Sequence, residues 1–152
     1  MIIRKAEKED LDPITDMMMR FIGEAEFDLT YVEEQVRNLA WRVILNEEAV
    51  VYVADIDGVL GGVVAGFIDN EFSVEPCVYM NKFYVEKEFR GTPVGAELLK
   101  AFDAGCKEQG VALSFASSTA GMGETNEKLY VRLFRKCGYE TLGRVLIRDL
   151  RL

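Results

Sequence analysis

The sequence predicts one mixed α/β (α+β) domain with the element order β-α-α-β-β-β-α-β-α-β-β, and three observations predict it. Strand-length apolar runs and helix-period segments alternate along all 152 residues. Asp57-Gly58 joins two apolar runs, a strong short signal for a hairpin. A strand–helix–strand succession from Tyr79 to Phe115 must be parallel if both strands share a sheet. Residues 1–152 suit a single domain over one hydrophobic core. A hydrophobic fraction of 49% provides enough apolar surface to offset the ordering entropy, which excludes a disordered chain.

Taken in order, Ile2–Lys5 reads as a short strand. Asp12-Pro13 reads as an N-cap followed by proline at the first helical position. Ile14, Met17, Met18 and Phe21 follow at helical spacing, and Gly23 is the expected stop. A second helix is expected from Tyr31 to Leu45, with Val32, Val36, Leu39, Trp41 and Val43 on its apolar face. Ala49–Ile56 and Val59–Ile68 form the hairpin, and Asp69–Pro76 is an acidic loop. Cys77–Val85, nearly apolar throughout, is expected at the centre of a sheet. Val94, Leu98, Ala101, Phe102 and Gly105 then mark a helix that ends near Gly110. Val111–Ala116 is a strand, and Asn126–Cys137 a helix stopped by Gly138. Strands at Tyr139–Leu142 and Val145–Leu150 close the order.

Composition excludes several chemistries. With no histidine there is no His-based triad, no His-ligated metal and no imidazole base. Cys77, Cys106 and Cys137 are odd in number and lack a C-x-x-C pair, so neither disulfides nor a metal site are expected. Cys106 and Cys137 sit at helical core spacing as small buried thiols. No run is long and apolar enough for a signal peptide or a membrane span, and a soluble, cytoplasmic protein is expected. The net charge of −8 argues against nucleic acid or an anionic membrane as partner. Residues 1–80 carry 17 acidic against 6 basic side chains, and residues 81–152 carry 9 against 12. Either a cationic ligand on the first half and an anionic one on the second, or scattered solubilising charge, explains this asymmetry.

The chemistry is concentrated in the run from Lys82 to Ala96: a buried strand, a short charged loop, a glycine turn and an amphipathic helix. A helix N-terminus approached in this way offers unpaired N–H groups and the positive end of its dipole, an anion site suited to a pyrophosphate. Gly91 and Gly95 keep side chains out of the way, and Arg90 adds a charge-assisted contact. The run resembles motif A of the GNAT acyltransferase superfamily, a strand ending in L/F-Y-V followed by R/Q-x-x-G-x-G/A. Arg90 and Gly95 match, while Pro93 replaces the middle glycine. The element order is similar to the GNAT fold over nearly the whole chain, and the Arg-Gly-Thr-Pro run is similar to versions in virus-encoded members. The resemblance implies acetyl-CoA as co-substrate and no metal. Phe83, Tyr84 and Val85 would face pantetheine, and Arg90, Gly91, Thr92, Pro93, Val94, Gly95 and Ala96 the phosphates. With Thr92 as N-cap, Pro93 stands at a favoured position but removes one N–H from the cradle.

Leu133 to Tyr139 is similar to the end of the family's last motif, with Asn126 one residue further from the glycine than usual. Both Asn126 and Phe134 would belong to the cofactor site. Phe134 occupies the position where many members carry the tyrosine that protonates the departing thiolate, and a phenyl ring cannot donate that proton. Tyr130 lies one turn earlier, either as a hydroxyl near the sulfur or, the preferred reading, as core. Asn81, polar in an apolar strand, either faces the reacting centre or makes a structural hydrogen bond. The resemblance implies direct acetyl transfer to an amine, with Asp69, Glu71, Glu75 or a water as base. Glu24, Glu26 and Asp28 with the acidic loop favour a cationic small-molecule or peptide acceptor. A homodimer is among the expected assemblies. The alternatives are a GNAT-fold binding, structural or regulatory protein without catalysis, and a domain that binds CoA without transfer.

Overall fold

The computed structural model describes residues 1–25, 29–71, 73–117, 123–143 and 148–151. Among these residues five strands form one sheet in sequence order: β1 (Ile2–Lys5), β2 (Ala49–Ile56), β3 (Val59–Asp69), β4 (Cys77–Val85) and β5 (Leu113–Ala116). Neighbours run antiparallel as far as β4, and β4 runs parallel to β5. Of the four α-helices among the described residues, α1 (Leu11–Glu24) and α2 (Glu33–Leu45) pack on one face of the sheet. The other two, α3 (Val94–Glu108) and α4 (Gly123–Lys136), pack on the opposite face. The Asp57-Gly58 turn is a two-residue hairpin loop with positive φ at both residues, 55° and 85°, which matches the strand twist.

The sheet alternates its side chains between two cores. Val50, Ala54, Val64 and Val78 meet Leu98, Leu99 and Phe102 of α3. Val53, Val63 and Tyr84 meet Ile14, Met17 and Met18 of α1. Helix α3 sits close because β3 carries glycine beneath it. A Cβ on Gly66 would lie 2.8 Å from Phe102 Cζ and 2.9 Å from the Tyr79 carbonyl oxygen. Cys106 is buried in this layer, and burial pushes its thiol up to about 12.

Several expected boundaries shift for identifiable reasons. Helix α1 starts at Leu11, after a 3₁₀ turn at Lys8–Asp10, so Asp12 is not its N-cap. Asp10 fixes that start: its carboxylate accepts from the Glu7 N–H at 2.8 Å and from Arg4 at 2.7 Å. The helix passes Gly23 and ends at Glu24, whose side chain is held by Tyr84 of β4 and by Arg90. Helix α2 begins at Glu33, and Trp41 and Val32 face outward rather than into the core. Helix α4 begins at Gly123, three residues ahead of Asn126. Tyr139–Leu142 does not form the expected strand. Gly138 ends α4 at φ 93°, and the Tyr139 N–H is used up in bonding the Phe134 carbonyl. Of the last expected strand, residues 145–147 lie outside the described residues, and 148–150 are not extended into the sheet. Among the described residues no helix is long and apolar enough to cross a membrane, and no group of three or more acidic or cysteine side chains is placed to hold a metal.

Candidate active site

The site begins at an irregularity of β4. Ala65 pairs with Lys82 and Gly66 with Met80, so Asn81 is an extra residue without a partner on β3. Such a bulge shifts the alternation of the strand. Met80 and Phe83, three apart, therefore both face α3 and α4, while Lys82 and Tyr84 face the α1/α2 side. Strand β5 pairs only with Cys77–Met80 and ends there. Among the described residues the outer edge of β4 from Asn81 onward has no strand neighbour, which leaves a row of backbone donors and acceptors for an extended ligand.

This open edge leads to the N-terminus of α3. Gly91 takes φ 80°, a left-handed conformation that turns the chain into the helix without steric cost. Pro93 stands at the cap with helical angles (φ −64°, ψ −13°), and the first helical bond runs from the Glu97 N–H to its carbonyl. The N–H groups of Gly95 and Ala96 lie ahead of that bond and have no helical acceptor. Thr92 is a weak cap: its hydroxyl accepts from the Val94 N–H at 3.4 Å and donates to the Phe89 carbonyl at 2.6 Å. The Val94 side chain and the Cα side of Gly95 face the core, so only their backbone is turned towards the expected phosphate. A Cβ on Gly95 would meet Leu133 Cδ2 at 2.9 Å and Phe83 Cζ at 3.5 Å, so its role is close packing.

Arg90 is the main departure from the expected cradle. Its Nε donates to the Val85 carbonyl at 2.9 Å, and its Nη2 pairs with Glu24 at 2.9 Å, with the guanidinium 5.3 Å from the centre of the Tyr84 ring. Tyr84 is buried and donates to Glu24 at 2.6 Å, so its side chain faces α1 and not an edge ligand. Glu86, also buried, pairs with Arg20 at 2.6 Å. Burial pushes the Glu24 carboxyl up, but the bonds from Tyr84 and Arg90 outweigh it and hold the group below its ordinary range. Burial, and then the bond to Glu24, raises the Tyr84 phenol. The chain Arg20–Glu86–Tyr84–Glu24–Arg90 ties the end of α1 to the end of β4 and the turn before α3. Sequence spacing gave no sign of it, since Arg90 and Glu24 are 66 positions apart.

Phe134 is buried, stacked on Tyr130 with ring centres 4.0 Å apart, and both rings meet Phe83 edge-on. Burial raises the Tyr130 phenol, which keeps its proton at neutral pH. Asn126 lies in the first turn of α4, partly buried. Val85 faces α3 in the same core as Phe83.

On the opposite side of β4 lies a cavity of about 370 Å³ between α1, α2 and the sheet. Its walls are mostly aliphatic and aromatic, from Ile14, Met18 and Phe21 of α1 to Val36 and Val43 of α2, with Asn81 and Lys82 at the β4 end. Of the acidic residues expected to face an acceptor, Glu24, Asp69, Glu71 and Glu75 are not among those that line it. Glu24 is held by Arg90 and Tyr84, while Asp69 and Glu75 engage in short bonds within their own loop, to the Glu71 N–H at 2.7 Å and Ser73 at 3.0 Å. Glu26 and Asp28 lie outside the described residues.

A sequence model described as an acetyltransferase (GNAT) domain matches residues 47–141. No curated protein matches the chain by sequence. Among solved structures it is similar to the aminoglycoside N-acetyltransferase AAC(6′)-Iy in complex with CoA (15% identity, TM-score 0.79, covering 99% of this chain and 95% of that one). A predicted acetyltransferase with acetyl-CoA from Clostridium acetobutylicum is similar at 15% identity and a TM-score of 0.75, covering 99% and 96%. So is an aminoglycoside acetyltransferase from an uncultured soil metagenomic sample in complex with sisomicin, at 15% identity and a TM-score of 0.74, covering 99% and 95%. At these identities the likeness is one of fold.

Proposed function

The chain belongs to the acetyltransferase (GNAT) family, and from that premise we propose that it is an acetyl-CoA-dependent N-acetyltransferase that transfers the acetyl group directly to the primary amine of a small molecule. The observation that carries the reading is the open β4 edge beyond Met80, leading to the uncovered N–H groups at the start of α3. An extended amide-bearing arm suits the edge, and a pyrophosphate suits the helix start. Acetyl-CoA supplies an acetyl group activated as a thioester.

In this reading the protein holds phosphate with the uncovered backbone N–H groups of Gly95 and Ala96. Arg90 acts one step removed, fixing Glu24 and the end of β4. The side chains of Phe83, Val85 and Phe134 support the strand from behind. In this reading a backbone N–H near the bulge steadies the developing oxyanion. Tyr130, protonated beside Phe83, is the phenol that α4 offers for returning a proton to sulfur, though a thiol is acidic enough for water to serve. Pro93 and the phenyl ring at Phe134 favour a second reading, a family member that has lost catalysis and serves as a binding protein.

Calorimetric titration with acetyl-CoA and with CoA separates the two, followed by thiol release over a panel of primary amines. Saturable micromolar binding with amine-dependent thiol release is expected. Absence of binding at millimolar ligand overturns the co-substrate assignment, and binding without release to any amine leaves only the non-catalytic reading.

A further inference from the structure

We propose that the cavity between α1, α2 and the sheet takes an apolar α-amino acid of the leucine, methionine or phenylalanine kind, with its carboxylate held by Lys82 and its side chain against the aliphatic wall. The inference rests on the N-acetyltransferase reading of the same site and goes beyond it by naming the class of acceptor.

Three features converge. The cavity, about 370 Å³, is walled by apolar side chains over nearly its whole surface, which selects an apolar body. Lys82 lines its β4 end, and among the described residues its Nζ donates to the Asn81 carbonyl alone, at 3.0 Å. No described carboxylate pairs with it, and burial alone pulls its ammonium below the ordinary lysine range. A cation set in an apolar wall without a counter-ion is costly, and an incoming carboxylate removes that cost. The third feature is position. The bulge turns Lys82 towards this cavity at the level where β5 leaves β4. One carbon separates the carboxylate from the amine of an α-amino acid. Holding the first on Lys82 therefore sets the second at the bulge, beside the open edge. A polycation meets the opposite conditions, with Lys82 repelling it and no described acid on the wall.

The step balances without a further reactant. The ammonium group of the amino acid first gives a proton to water. The amine lone pair then forms the C–N bond to the thioester carbonyl carbon as the C–S bond breaks. CoA leaves as thiolate, and the second amine proton ends on that sulfur. The products are an N-acetyl amino acid, CoA and one proton.

The test measures thiol release from acetyl-CoA with leucine, methionine and phenylalanine, with their primary amides, and with sisomicin. Calorimetry of phenylalanine against the CoA-loaded protein is read alongside. The free acids are expected to outperform the amides by at least about tenfold in kcat/KM, the scale of one hydrogen bond to a charged group. Lys82→Met should bring that ratio towards one and raise the phenylalanine KM about tenfold or more, with acetyl-CoA affinity retained. Equal use of acids and amides by the parent protein overturns the proposal even if Lys82→Met fails to fold. Turnover of sisomicin with none of amino acids overturns it while leaving the transferase reading intact. Lys82-dependent binding of phenylalanine without any turnover supports the site and sinks the transferase reading. Neither binding nor turnover of any amine overturns both.

Discussion

Arg90 matches the family pattern by position, yet its guanidinium is engaged by the protein itself, through the Val85 carbonyl and Glu24. Arg90→Met would leave the partly buried Glu24 carboxylate with Tyr84 as its remaining partner. A loss of about 1–3 kcal/mol in urea unfolding is expected, with acetyl-CoA affinity by calorimetry changed by less than about tenfold. A larger loss of affinity at unchanged stability would return Arg90 to the phosphates. At this scale the sequence was only half readable. Gly91 could be placed, and Thr92 and Pro93 to within one position, because turn and helix-start chemistry is local. The partners of Arg90, Tyr84 and Glu86 could not, because ion pairs between segments more than 60 positions apart leave no periodic trace.

The element most exposed to a single substitution is α3, because β3 offers it glycine. Gly66→Ala puts a methyl group 2.9 Å from the Tyr79 carbonyl oxygen, a backbone atom of β4, as well as against Phe102. Overpacking of this kind costs about 1–3 kcal/mol, and a calorimetric melting temperature lower by several degrees is expected. An unchanged melting temperature would show that the sheet and helix separate freely. Most elements were legible because each carries its own signal: the Asp57-Gly58 turn, the apolar run of β4, the period of α3. The bulge was not, since Asn81-Lys82 inside an apolar run reads the same whether the strand is regular or slipped by one residue. Trp41 misled for a related reason. Helical periodicity gives a broad apolar face but not the width of the layer waiting to cover it, and α2 buries only the part over the cavity.

For the molecule as a whole, the acid side of the stability curve should carry the mark of its interior carboxylates. Burial pushes Asp10 up, but the bond from Arg4 and the Glu7 N–H hold it below its ordinary range, and Glu24 is lowered in the same sense. Groups lowered in the folded state bind fewer protons there than in the unfolded chain. Their contribution is therefore full above about pH 4, the ordinary carboxyl range, and is lost as pH falls through that range to the folded values. The urea midpoint should fall between about pH 5 and pH 3, and Asp10→Asn should flatten that fall. An unchanged slope in the variant would remove Asp10 from the account. The one-residue slip at Asn81 also has an evolutionary consequence. Because the strand changes phase there, substitutions at position 82 act on the cavity, and those at 83 and 85 on the core beneath α3 and α4. On the proposed transferase reading, selectivity for the acceptor can then drift while the donor site is kept. A lineage of such transferases can change what it modifies without relearning what it modifies with.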